Sequence, residues 1–168
     1  MKKHLIYSIL ILFCLSSCNE ITKSKTEREG EPDVHNVESS DLRMNTAILE
    51  ANNSIDIFKE AVMSLNSDYE YFTLKQKFDT PDGGGEHIWI QEVTIRNSDY
   101  FGIIGNEPVN VNDISLGDSI MVDKEKISDW MFFDKGITRG GYTIKVLRDG
   151  MSEEERNQFD LQSGLIFE

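Results

Sequence analysis

From Asp41 onward the apolar residues fall into two successive periods, and the change from one to the other sets the architecture. Met44, Ile48, Ala51, Ile55, Phe58, Val62 and Leu65 are spaced by alternating fours and threes, which lays one stripe along a helix over residues 41–65. Ser40 or Asp41 can cap its first turn. Asn52-Asn53-Ser54 is a weak point in its middle, because these short polar side chains compete for backbone hydrogen bonds. After Leu65 the period becomes two: Phe72, Leu74 and Phe78 alternate with Thr73, Lys75 and Lys77, and Pro81-Asp82-Gly83-Gly84-Gly85 closes a turn. Four further strands are predicted at Glu86 to Arg96, Tyr100 to Ile104, Ser119 to Val122 and Ile127 to Phe133, separated by Asn97-Ser98-Asp99, Asn106-Glu107-Pro108 and Leu116-Gly117-Asp118. Past Gly140-Gly141, Ile144, Leu147 and Met151 return to helical spacing, and Ser152-x-x-Glu155 has the form of a capping box. The predicted fold is α+β, an antiparallel meander of about five strands packed against an N-terminal helix, with a short helical segment at the C-terminal end.

The first forty residues follow neither period. Lys2 and Lys3 precede an apolar run from Leu5 to Leu15, about half the length of a membrane-spanning helix, and the run ends in Leu15-Ser16-Ser17-Cys18. That pattern is a bacterial lipoprotein signal over residues 1–17, with Cys18 as the site of lipidation. Its thiol takes diacylglycerol, the chain is cut before it, and a palmitate-like acyl group is added to the new amine. Two or three acyl chains, at about 0.8 kcal/mol per buried methylene, hold a protein on a bilayer far more firmly than one. Asn19 is not the Asp that retains lipoproteins in the inner membrane of many Gram-negative bacteria, which favours the outer membrane. Residues 18–40 are polar and charged, with Gly30 and Pro32 near the middle and His35 solvated, and are expected to form a disordered tether. Residues 41–168 are then a single domain.

Charge and cysteine content narrow the function. Cleavage removes Lys2 and Lys3 and takes the formal charge from −13 to −15, which makes nucleic acid a poor partner. Cys14 lies in the signal and Cys18 is consumed by lipid, so no thiol remains for a nucleophile, a disulfide or a metal ligand. No metal or other cofactor is expected.

Five pieces recur in an order that is specific as a set: Glu86-His87-Ile88-Trp89, Gly102 with Asn106-x-Pro108, Gly117-Asp118, Ile127-x-Asp129-Trp130 and Gly140-Gly141-Tyr142-Thr143. With Ala47, Ala51 and Phe58 ahead of them, they resemble the bacterial domain-of-unknown-function 2314 family from about Met44 to about Asp160. The resemblance implies a small α+β domain and no particular reaction.

Among residues able to do chemistry, His87 is the only histidine of the predicted domain. Asp129 can orient its imidazole and Ser128 or Thr143 can supply a hydroxyl, although no nucleophile elbow accompanies them. Asp79, Asp82 and Glu86 surround the glycine turn without the spacing of a calcium loop. Asp129 and Trp130 are neighbours on a predicted strand and therefore face opposite sides, with Trp130 expected in the core and Asp129 expected to hold a hydrogen bond. Glu86, His87, Trp89, Asp129 and Trp130 are the candidate binding residues. The leading expectation is a non-catalytic, lipid-anchored binding domain of the cell envelope, attached to the membrane by its lipid and recognising a protein or cell-wall ligand. One version is an immunity-like protein against a basic partner. The alternatives are a hydrolase-type enzyme using His87 and Asp129, and a structural envelope component.

Overall fold

The structure, a computed structural model, describes residues 25–26, 34–35 and 41–167. The expected signal sequence, Cys18 and most of the expected tether lie outside the described residues. Between residues 18 and 40, β1 (Lys25–Thr26) and β2 (Val34–His35) pair antiparallel.

The helical stripe forms two helices. α1 (Leu42–Asn53) begins where the Asp41 carboxylate accepts from the amides of Arg43 and Met44, and α2 (Ile55–Met63) follows after a break at Ser54. The break falls at the weak point read from the sequence: the Ser54 hydroxyl donates back to the Glu50 carbonyl at 2.7 Å, in competition with the helical ladder. Ala47, Ala51, Phe58 and Ala61 are the buried helical positions, whereas Leu65 lies past the end of α2 and is fully exposed.

Six strands make one antiparallel sheet: β3 (Tyr69–Asp79), β4 (Gly85–Arg96), β5 (Asp99–Ile104), β6 (Ser119–Met121), β7 (Ile127–Asp134) and β8 (Ile137–Gly140). Their order across the sheet is β6-β5-β4-β3-β7-β8. The meander is kept from β3 to β6 and then departs from the expected path, since β7 pairs with β3 instead of β6. The physical reason is burial: β7 begins with four consecutive buried residues, Ile127 to Trp130, and so needs cover on both faces and a neighbour on each side. The chain reaches that position through a short 3-10 turn at Lys124–Lys126, where the Asp123 amide donates to the Gln76 side chain on β3 at 2.8 Å. β8 is the strand absent from the sequence reading. Lys135 and Gly136, both with positive φ, make the two-residue turn that antiparallel hairpins favour, and four residues return along β7.

α1 and α2 cover one face of the sheet. Phe58 inserts among the rings of Phe72, Tyr100 and Trp130 with centroids about 6 Å away, and Leu74, Ile88, Ile90 and Ile104 complete this side. α3 (Tyr142–Asp149) lies at the edge of the sheet beside β7 and α1. α4 (Glu153–Ser163) starts at Ser152 with the reciprocal Ser152/Glu155 cap expected from the sequence. Among the described residues no helix is long and apolar enough to cross a membrane.

Candidate functional site

The site is built on the face of the sheet turned away from α1 and α2. β3 is its central strand, and alternation sends Lys75 and Lys77 to this face while Leu74 and Gln76 point into the core. Register then chooses their neighbours. Lys75 stands opposite Trp89 on β4 and opposite Asp129 on β7, and Lys77 stands opposite His87. β7 carries one extra residue at this level, because Lys75 pairs with Asp129 while Gln76 pairs with Ile127. The bulge is at Ser128, and it brings Ser128 to the same side as Asp129, which strict alternation would forbid.

Two hydrogen-bonded groups result. In the first, His87 Nδ1 lies 2.8 Å from the Ser128 hydroxyl, which is also 3.3 Å from the Lys75 carbonyl. Ser128 is 2% exposed. The imidazole is held well below its usual pKa, at about 4, by desolvation and by the ammonium groups of Lys75 and Lys77. It is therefore neutral near neutral pH. In the second group, Asp129 is fully buried and both of its oxygens are used. Oδ1 accepts from the Trp130 and Tyr142 amides, and Oδ2 accepts from the Thr143 amide and hydroxyl at 2.8 and 2.6 Å. Burial pushes this carboxyl upward, opposed by the Thr143 hydroxyl, the Lys75 ammonium and the amides of Thr143 and Trp130. Its chemical role is that of an N-terminal cap for α3, supplied from a strand.

Lys75 joins the two groups. Its Nζ is 3.3 Å from the Thr143 hydroxyl and 5.1 Å from the centre of the Trp89 ring. Thr143 gives its own proton to Asp129, so toward Lys75 it is an acceptor, and two of the three ammonium N–H bonds remain unspent. Burial lowers the Lys75 pKa, with the Asp129 charge acting in the opposite sense.

The expected site residues separate into two classes. Trp130 belongs to the core: it is 2% exposed, its Nε1 donates to the Ala51 carbonyl at 2.9 Å, and it offers no surface to a partner. Asp129 does not orient His87, because α3 takes both of its oxygens. Glu86 turns to the inner side, where its carboxylate accepts from the Val109 and Asn110 amides and fixes the long loop after β5. The Trp89 amide donates to Asn106 Oδ1, which anchors the same loop. Of the five candidate binding residues, His87 and Trp89 remain on the outward face. Lys75 was not singled out in the sequence, where it is one of two alternating lysines; only the pairing of β3 with both β4 and β7 distinguishes it. The acidic turn is likewise divided, with Asp79 on Lys126, Asp82 on the Gly84 amide and Glu86 in the loop.

Gly140 and Gly141 complete the lock between β8 and α3. Both have positive φ, +79° and +66°, and a Cβ on Gly140 would stand 2.1 Å from the Trp130 carbonyl oxygen. The sequence pieces at 86–89, 102–108, 127–130 and 140–143 are thus physically connected: a loop anchor, a strand bulge, and a glycine turn whose helix is capped by Asp129.

The profile of a family described as an uncharacterized protein conserved in bacteria, domain of unknown function 2314, matches residues 41–167. The chain belongs to this family. A putative ankyrin repeat protein of Neisseria meningitidis serogroup B is 32% identical over 145 residues, covering 82% of this chain and 57% of that protein. The chain therefore spans just over half the length of that relative. The uncharacterized protein YegJ of Escherichia coli is 32% identical over 158 residues, covering 94% of this chain and 95% of its own length. No solved structure matches.

Proposed function

We propose that this family member is a non-catalytic binding domain of the bacterial envelope, tethered by lipid at Cys18, that recognises its ligand over the outward face of β3 and β4. The observation that carries this reading is the fate of the would-be catalytic groups. The Asp129 carboxylate is consumed by the α3 cap and the Ser128 hydroxyl is buried beneath His87, while Lys75 keeps unspent donors and His87 and Trp89 keep ring surface at the outside. A hydrolase needs a nucleophile that substrate can reach and a base held by an orienter, and this arrangement offers neither. The lipobox Leu15-Ser16-Ser17-Cys18 supports the anchor.

Two measurements address the reading. Cys18→Ser is expected to abolish palmitate labelling and to leave the chain uncleaved or outside the membrane fraction, since thioether formation needs the sulfur. Capture of the lipidated chain from its native membrane, followed by mass spectrometry, should recover a set of molecules that is lost with Trp89→Ala. The same set recovered with wild type and Trp89→Ala would oppose binding at this face.

A further inference from the structure

Five cations of the domain are held by aspartates, and the two lysines of the outward face are not. Lys124, Lys126, Lys135, Arg139 and Arg148 each have an aspartate within 4 Å: Asp99, Asp79, Asp68, Asp134 and Asp160 respectively. Among the described residues neither Lys75 nor Lys77 makes an ion pair. They stand two residues apart on one strand and directly across from Trp89 and His87, so the four side chains form a two-by-two block on one sheet face. Two carboxylates border the block: Asp129, buried behind Thr143 with its oxygens already used, and Asp79, the next residue of β3 on this face, which is paired with Lys126 at 2.8 Å. Two N–H bonds of Lys75 and all three of Lys77 are left pointing at no protein acceptor, and the second ring nitrogen of His87, which becomes a donor only in the imidazolium, has no protein partner. The result is a local positive site on a chain whose net charge is −13.

We propose that this block is a binding subsite for a single oxyanion group, a carboxylate or a phosphate, carried by the ligand of the outward face. The inference rests on the binding reading of that face and adds the chemistry of the ligand. The Lys75 and Lys77 ammonium groups supply charge-assisted hydrogen bonds. The Trp89 ring walls one side and holds the Lys75 stem by its contact with the ammonium. His87 is placed by Ser128 so that one nitrogen is fixed and the other is free. Long-range repulsion from the acidic chain excludes extended polyanions, and one oxyanion within contact distance of two ammonium groups escapes that penalty.

His87 reports occupancy. The charged groups facing it are Lys75 and Lys77 on β3, with Asp129 on β7 next to Lys75; Ser128 on β7 contacts it as a neutral hydroxyl. An anion between the lysines opposes the positive field that keeps the imidazole neutral, so by linkage it favours the protonated form. The experiment is an NMR titration of the His87 ring in the folded domain, with inorganic phosphate in one arm and acetate in a second, each against chloride at matched ionic strength. The expected result is a rise of the His87 midpoint by about one pH unit in one or both arms. The rise should shrink in Lys77→Met, which keeps an unbranched stem over Gly85, and vanish in the Lys75→Met, Lys77→Met double variant. A response to phosphate alone assigns a phosphate ligand, and an equal response to acetate assigns a carboxylate. An unchanged midpoint in both arms, or a rise that survives in the folded double variant, overturns the proposal. Loss of membrane capture in Trp89→Ala without a His87 response sinks the oxyanion and spares the face; a His87 response with capture intact does the reverse.

Discussion

Trp130→Ala is expected to destabilise the domain by about 3 to 5 kcal/mol, a loss measurable by denaturant unfolding. The indole lies 2% exposed between the helices and the sheet, with Phe58, Phe132 and Tyr142 ring centroids 5.9, 6.0 and 5.7 Å away. Removing it opens a cavity that neighbours on rigid strands cannot fill. It also strips the Ala51 carbonyl of its indole donor close to the break between α1 and α2. Trp130→Phe separates these contributions: it keeps most of the ring volume and loses the N–H, for an expected cost of about 1 to 3 kcal/mol. A Trp130→Ala protein with wild-type stability would show that the contact between helices and sheet does not hold the domain together.

The second large effect is expected at Asp129. Asp129→Ala removes the acceptor for three backbone amides and one hydroxyl, and it takes the nearest negative charge away from half-buried Lys75. The expected cost is about 3 to 5 kcal/mol, the range for breaking a buried charged network by deleting one partner. The damage should be local in the first instance. Tyr142 and Thr143 begin α3, so amide exchange over Tyr142–Asp149 should accelerate more than exchange in β4. Asp129→Asn retains a carbonyl oxygen and should cost less. Unchanged exchange in α3 would refute the strand-to-helix cap.

These two residues also show how far the sequence could be read. Apolar period together with local turn and polar residues placed the N-terminal helix, its weak point at Asn52-Asn53-Ser54 and the strands β3 to β7, because each depends on side chains close together in the chain. It also placed Asp129 and Trp130 on opposite sides of their strand. Strand order was less accessible: the pairing of β7 with β3 depends on which strand can bury Ile127 to Trp130 on both faces, a comparison among distant segments. β8 was hidden by its length, four residues with one large aliphatic side chain, although Lys135-Gly136 carried the turn signal.

The candidate site was legible in part for the same reason. His87 and Trp89 were visible as unusual residue types, but Lys75 acquires its character from a register that sets it between Trp89 and Asp129. The expected union of His87 with Asp129 failed because α3 competes for the carboxylate, and a helix starting at Tyr142 makes the closer claim. Net charge pointed to a basic partner, whereas the outward face sets Lys75 and Lys77 side by side, so the ligand proposed for that face is anionic.

The central claim is that the two tryptophans divide the work, Trp130 holding the fold and Trp89 facing the ligand. Thermal unfolding of Trp89→Ala beside Trp130→Ala tests it most directly. Trp89 is half-buried on the outward face and its ring contact with Lys75 is worth about 1 kcal/mol, so Trp89→Ala should stay within about 1 kcal/mol of wild type while Trp130→Ala loses several times more. Equal destabilisation by the two substitutions would contradict the account, because the outward face would then be part of what holds the domain together.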